Sequence, residues 1–485
     1  MIMSTPEKVG CGGDAAVFEL EKFGHAPALL TEEKVWSYAD LSQMAARVAG
    51  AVPARSLVFL LARNQVAAIA GYVGFLSHGI VPVMVDATLD AGLLAALARR
   101  YRPAFIYLPR ERAGEFGGGT ECLSLADYVL LDLHEGAPFA LAPELALLMT
   151  TSGSTGSPKL VRLSYENLRA NTAAIAAYLG LTAGERAVTS LPLYYVYGLS
   201  ILNTHLAVGA SLVVTEETLF SREFWRLMRE KDVTSLGGVP YTYGMLKRLR
   251  FFKMDLPSLR TLTQAGGKLD PELHAAFAAD AAAKGRRFFV MYGAAEATAR
   301  MGYLPPELAL SHVGAMGRAI PGGRFALVDE AGAAIEQADT VGELVYYGSN
   351  VMLGYAESGA DLARGDERHG RYVTGDLARR DADGIYTIVG RKKRFLKLFG
   401  KRTNLAEVEH LLRQQFGGAE VACAGRDDRL FTFVTDADMA EEVRPFLAKK
   451  LGLHPSAFAV KVLPEIPHNA AGKTLYHELE KYYDV

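Results

Sequence analysis

Cysteine and tryptophan are scarce in this chain, with three and two copies among 485 residues. Cys11, Cys122 and Cys423 stand far apart, in no metal-ligand spacing and in no disulfide framework, so a reducing, cytoplasmic setting is expected. No charge sign dominates. Lys and Arg number 52 against 54 Asp and Glu, a net charge of −2, which gives no basic field for nucleic acid and favours small-molecule chemistry. An apolar leader is missing too: MIMSTPEKVGCGGD carries charges and glycines where a secretion signal needs a hydrophobic stretch. The one uncharged stretch of membrane length, Gln65 to Val85, is broken by His78, Gly79 and Pro82 into a helix and a short strand, so no membrane span is expected. Familiar catalytic motifs are absent. Gly153 and Lys159 lack the glycine that Walker A places before its lysine, and Gly472-Lys473-Thr474 has Pro467 where the first glycine belongs. No G-x-G-x-x-G opens a helix, and neither G-x-S-x-G nor H-E-x-x-H occurs, which argues against dehydrogenase, hydrolase and zincin chemistry.

What is present is apolar sequence in quantity. Half the residues are hydrophobic, and a chain of this length divides into two or more domains. From Leu57 to Tyr292 short apolar runs alternate with helical patterns: Leu57 to Leu61, Ile80 to Val85, Phe105 to Leu108, Leu147 to Thr150, Ala187 to Ser190, Leu212 to Thr215, Leu262 to Thr263 and Phe288 to Met291. Such alternation predicts parallel sheets covered by helices, and the number of units predicts two packed, doubly wound sheets. Beyond Pro321 the pattern becomes period-two alternation with turn residues, which predicts a small antiparallel β unit. The basic run Arg391 to Arg394 marks a domain boundary, giving an α/β N-terminal domain over 1–390 and a small α+β domain over 391–485.

The segment Leu147 to Lys159, LLMTTSGSTGSPK, runs from an apolar strand into hydroxyls, glycines and one lysine. Glycines 153 and 156 free backbone N–H groups to turn towards an anion. Thr151, Ser152, Ser154 and Thr155 add donors, and Lys159 adds charge. A strand before and a helix after, capped by Ser164, predict a phosphate seat of the strand–turn–helix kind rather than a flexible linker. Other polar clusters fall where apolar strands end, as α/β ligand sites do. Tyr292-Gly293-Ala294-Ala295-Glu296 offers an aromatic face and a carboxylate suited to Mg2+. Gly375-Asp376 places a carboxylate that can take ribose hydroxyls on what reads as a tight turn, with Arg391 as a cation for the same ligand.

Seven segments in order resemble the adenylate-forming superfamily of acyl-CoA synthetases, adenylation domains and luciferases. They are TSGSTGSPK at 151–159, TQAGGKL at 263–269, YGAAE at 292–296, GELVYYGSNVMLGY at 342–355, TGDL at 374–377, GRKKRFLKLFGKRTNLAEVE at 390–409 and NAAGKT at 469–474. The resemblance implies two large sheets with a small β-barrel unit and a mobile C-terminal lid. It implies ATP-dependent activation of a carboxylic acid through an acyl-adenylate, with release of pyrophosphate. The acyl group would pass to coenzyme A, or to the phosphopantetheine of a carrier protein. Twelve residues follow Lys473, so a carrier is expected to arrive in trans. In this reading Thr151 to Lys159 hold the β- and γ-phosphates, Gly266, Gly267, Tyr292 and Gly293 line the adenine site, and Asp376 and Arg391 bind ribose. Glu296 faces Mg2+, Lys473 is the catalytic lysine, Lys393 is the hinge and Lys397 faces the thiol donor.

Three positions depart from the family's pattern. Ala295 replaces a Thr or Ser, Leu160 replaces a Gly, and Tyr195 replaces a frequent histidine. Tyr195, Tyr197, Val239, Tyr241 and Ala294 are expected to form an apolar, partly aromatic acid pocket. Amino-acid adenylation domains place an Asp in this region to pair the α-ammonium. With Gly198 there instead, an unpaired buried ammonium would be costly, so an acid without an α-amine is expected. Two alternatives stand beside the thiol ligase: an amide synthetase using the same adenylate, and a nucleotide-binding pseudoenzyme with a sensing or scaffold role.

Overall fold

The computed structural model describes residues 17–134, 138–150, 159–392, 395–399, 401–417, 419–426, 428–468 and 474–483. Two large mixed sheets organise the chain up to Ala356. The first has nine strands, of which six are parallel, in the order Arg287–Tyr292, Thr261–Gln264, Ser235–Gly238, Arg186–Val188, Ser211–Val213 and Pro27–Leu30. The second has eight. Its parallel centre runs Leu145–Thr150, Val81–Asp86, Leu57–Ala62 and Phe105–Pro109, and antiparallel strands close both edges. Strands buried on both faces must be apolar throughout, which is why these segments read as unbroken hydrophobic runs.

The expected strands sit within a residue or two of the observed ones. Between the sheets lies one shared core that joins Leu29 and Leu212 of the first to Leu60, Met84 and Leu147 of the second. Helix Val66–Ser77 runs through it, buried from Ala67 to Leu76, so its uncharged sequence belongs to a core helix. It crosses helix Tyr38–Ala49 closely at Gly74, where a Cβ would lie 2.3 Å from the Ala45 carbonyl oxygen. Among the described residues no helix is long and apolar enough to cross a membrane.

The small β unit is a four-stranded antiparallel sheet ordered Arg324–Val328, Gly342–Tyr347, Arg371–Arg380 and Tyr386–Arg391. The last strand carries the chain through residue 390. Beyond it come the hairpin Phe395–Leu398 and Lys401–Asn404, helix Leu405–Gln415, and a three-stranded sheet of Val421–Arg426, Arg429–Val434 and Phe458–Val462 that packs on helix Ala437–Leu451.

Two local readings are corrected. The segment after Lys159 is a strand, Leu160–Ser164, paired antiparallel with Leu145–Thr150, so the Ser/Gly loop joins a hairpin. Helix Tyr165–Leu179 starts only afterwards, its first N–H groups occupied by a capping box of Ser164 and Asn167. Buried Arg162 hid the strand by interrupting a short apolar run; it reaches Glu367 at 2.6 Å. Likewise Asp376 is no turn residue, for it lies inside the ten-residue strand Arg371–Arg380. Gly375 there has φ +71°, a left-handed backbone that looks like a turn in sequence.

Candidate active site

Strand pairing creates the first cluster. Asp376 faces Arg391 across the small sheet, and Arg391 Nε donates to Asp376 Oδ1 at 2.8 Å. The other carboxylate oxygen accepts from the Tyr292 hydroxyl, which arrives from the end of a strand in the first large sheet. Thr374 Oγ1 accepts from the Asp376 N–H at 3.0 Å. Burial, then the adjacent Asp376 carboxylate, push the Tyr292 phenol well above its ordinary value, so it stays a donor. The result is a nearly buried carboxylate with fixed oxygens, flanked by an aromatic ring and a half-exposed guanidinium. Gly293, next to Tyr292, is dictated by packing: a Cβ there would fall 1.6 Å from the Ala299 carbonyl oxygen.

Glu296 anchors the second cluster. It sits in a short 3-10 turn, Ala295–Ala297, and its carbonyl accepts from Met352 N at 2.9 Å. Its carboxylate Oε1 accepts from the Tyr355 hydroxyl at 2.7 Å. Burial, then Glu296, raise the Tyr355 phenol above its usual range. Lys159 Nζ lies 5.7 Å from the Tyr355 ring centroid and 2.7 Å from Glu357 Oε1. The end of the Ser/Gly loop therefore stands one aromatic ring away from the Glu296 carboxylate. Thr151, Ser152, Gly153, Ser154, Thr155 and Gly156 lie outside the described residues, between the paired Thr150 and Leu160.

The third group converges on Gly266, whose φ is +87°. A Cβ there would meet the Tyr195 hydroxyl at 2.6 Å and Val239 Cγ1 at 3.0 Å, while one on Gly267 would meet Pro240 Cγ at 3.1 Å. Gln264 holds this turn, donating to the Gly267 carbonyl at 2.9 Å. Ala294 packs half-buried beside the same group. Tyr197 is more deeply placed, and its hydroxyl donates to the Thr263 carbonyl at 2.8 Å. Gly198 is tightly packed: a Cβ there would lie 2.3 Å from the Pro192 carbonyl oxygen, so packing against Pro192 dictates the glycine.

The C-terminal segment comes close to Tyr241. The exposed Tyr241 ring lies 6.1 Å from the His468 imidazole. His468 pairs with Thr474 in an isolated bridge, with Thr474 Oγ1 at 3.2 Å from His468 Nε2. Lys473 and Lys393 lie outside the described residues, as does the side chain of Lys397. Even so, the residue after Lys473 is fixed to a histidine that stands beside Tyr241.

Against known proteins, the family described as AMP-binding enzyme matches residues 18–356. The chain belongs to that family. Among curated relatives, an indoleacetate–CoA ligase of Aromatoleum aromaticum is 29% identical over 344 residues, 69% of this chain and 66% of the relative. A sulfoacetate–CoA ligase of Cupriavidus necator is 30% identical over 343 residues, 68% and 65% respectively. The matched part thus spans just under two thirds of those relatives' lengths. A solved O-succinylbenzoate coenzyme A synthetase from Bacillus subtilis, in complex with AMP, superposes with a TM-score of 0.76 over 96% of this chain and 98% of that one at 21% identity, which establishes the shared fold.

Two polar residues of this AMP-binding chain carry site geometry without having been singled out from sequence. Tyr355 closes the GELVYYGSNVMLGY segment, and its aromatic-before-Ala position gave no hint of a contact with Glu296. Gln264 precedes Ala265-Gly266-Gly267; a buried amide ahead of a glycine turn was the available signal.

Proposed function

We propose that this AMP-binding protein activates a carboxylic acid with ATP, forming an acyl-adenylate and releasing pyrophosphate, and then passes the acyl group to a thiol. The observation that supports this most is the Tyr292–Asp376–Arg391 cluster, a fixed carboxylate of the kind that takes both hydroxyls of a ribose beside a ring on which a base can stack. The CoA ligases among the relatives, and a fold neighbour described in complex with ATP and magnesium ion, support the same reading.

The chemistry requires two anions to meet: the acid's carboxylate attacks the α-phosphorus in line and pyrophosphate leaves. The Ser/Gly loop with Lys159 would hold the leaving phosphates. Glu296 fits Mg2+, since that ion needs only one or two carboxylates when phosphates and water complete its shell, and one Glu296 oxygen is steadied by Tyr355. When bound, the ion neutralises phosphate charge. Lys473 would contact the acid's carboxylate and the α-phosphate, brought there by the His468–Thr474 anchor beside Tyr241. Losing such a preorganised contact costs about 3 kcal/mol, roughly a hundredfold in rate. Ala295 forgoes a hydroxyl contact worth about 1 kcal/mol, which leaves activity intact. The acceptor in this proposal is coenzyme A, with a carrier-bound phosphopantetheine as the same thiol chemistry.

Pyrophosphate exchange over a panel of acids tests the first half-reaction, and intact-mass or thioester analysis with coenzyme A tests the second. Lys473→Ala should abolish exchange while sparing thiolation of a supplied acyl-adenylate. Undiminished exchange in that variant would remove Lys473 from its role.

A further inference from the structure

Arg300 is a permanent cation with only 2% of its surface exposed. Its guanidinium carbon lies 3.9 Å from the Tyr197 ring centroid, and its Nε points to Met291 Sδ at 3.4 Å. Among the described residues no carboxylate forms an ion pair with it. The other buried arginine, Arg162, has Glu367 at 2.6 Å. The Tyr178 hydroxyl, a ring face and a thioether compensate part of the desolvation of a guanidinium, whereas a buried charge is fully balanced only by an opposite charge with matching hydrogen bonds.

Arg300 also lines a cavity. The space, about 20 Å3, lies between the first sheet and helices Tyr165–Leu179 and Val196–Ala207. Its walls are mainly apolar, the hydroxyls of Ser200, Thr204 and Thr263 are already bonded within the chain, and Arg300 brings the charge. The cavity adjoins the expected acid pocket through Tyr197, on whose ring Arg300 stacks; Val239 follows the strand that carries Ser235 and Gly237, and the Arg300 charge acts on the hydroxyls of both Tyr195 and Tyr197. The volume suits one small polar group. His205, on the far wall, has Nδ1 at 2.8 Å from the Ile201 carbonyl and an unpaired Nε2. Held neutral by burial, its Nε2 is an acceptor, which calls for a water rather than the anion.

We propose that the acid activated by this protein is short and carries a second anionic group, a carboxylate or sulfonate at its far end, which pairs with the Arg300 guanidinium. Arg300 is then the residue that determines specificity, through a forked contact only an anionic oxygen pair can satisfy. The inference rests on the ligase reading above. It adds that a neutral acid of equal length leaves a buried charge unpaired, and that discrimination appears mainly in KM.

The experiment is pyrophosphate exchange with length-matched sets of dicarboxylates, sulfonocarboxylates and monocarboxylates, on the wild type, Arg300→Met and Arg300→Lys. Doubly anionic acids are expected to exceed their monoacid partners at least about a hundredfold in kcat/KM. Arg300→Met should erase that ratio by raising KM, and Arg300→Lys should keep part of it. Dicarboxylate against sulfonate distinguishes the two anions. Exchange with monoacids alone overturns this inference and leaves the ligase reading standing, whereas exchange with no acid removes both. An unchanged ratio in Arg300→Met, accompanied by a lowered melting temperature, would make Arg300 a core residue and overturn the proposal. Should Arg300→Met fail to fold, the wild-type panel and the Arg300→Lys ratio decide.

Discussion

Glu296 and Asp376 are both carboxylates that accept a hydrogen bond from a tyrosine. Tyr292 orders one oxygen of Asp376, and Tyr355 orders one oxygen of Glu296. Removing a hydrogen bond to a charged acceptor costs about 1.5–3 kcal/mol. Tyr355→Phe is therefore expected to raise the KM for MgATP about tenfold or more with little change in melting temperature, measurable by exchange kinetics at varied ATP. Two histidines make a separate prediction about pH. Burial lowers the values of His205 and His274 below the ordinary 6.5, so both are neutral in the fold and protonated first in the unfolded chain. Their contribution is complete above pH 6.5 and is lost as pH falls, because unfolding then takes up protons. Denaturant titrations should show stability declining on acidification from that point, and His205→Gln should flatten the decline.

Among the elements, the hairpin around the Ser/Gly loop carries the clearest lesson. The loop's composition was legible, because glycines and hydroxyls beside a lysine have few structural uses. Its context was not, since Leu160–Ser164 is five residues with a buried arginine in the middle and its strand identity comes from pairing with Leu145–Thr150. Helix Tyr165–Leu179 was legible to its ends, for Ser164 caps it and Gly180 ends it in a left-handed conformation. Helix Val196–Ala207 holds the opposite case. Gly198 reads in sequence as a statement about the substrate, and packing against Pro192 dictates it. Gly198→Ala should cost about 1–3 kcal/mol by overpacking, read as a lowered denaturation midpoint with no gain or loss of acid preference.

At the scale of the whole molecule, the site draws on the first sheet, the small sheet and the C-terminal segment, and their meeting at Tyr292, Asp376 and Tyr241 is what a reaction of two half-steps would exploit. If Lys393 is the pivot between those steps, Lys393→Pro, which fixes one backbone angle, should leave pyrophosphate exchange near wild type and cut thioester formation about tenfold or more. Equal loss in both assays would deny it that role. By itself the sequence determined the α/β alternation, the edges of most strands and the residue types of an adenylating site, since burial on two faces, helix capping and charge chemistry act locally and leave local marks. Only the tertiary structure decided that Asp376 lies in a strand opposite Arg391, that Tyr355 bonds to Glu296 and that Arg300 is buried with no carboxylate beside it among the described residues. Those facts depend on sheet register and on contacts between residues dozens of positions apart, which no short window of sequence contains.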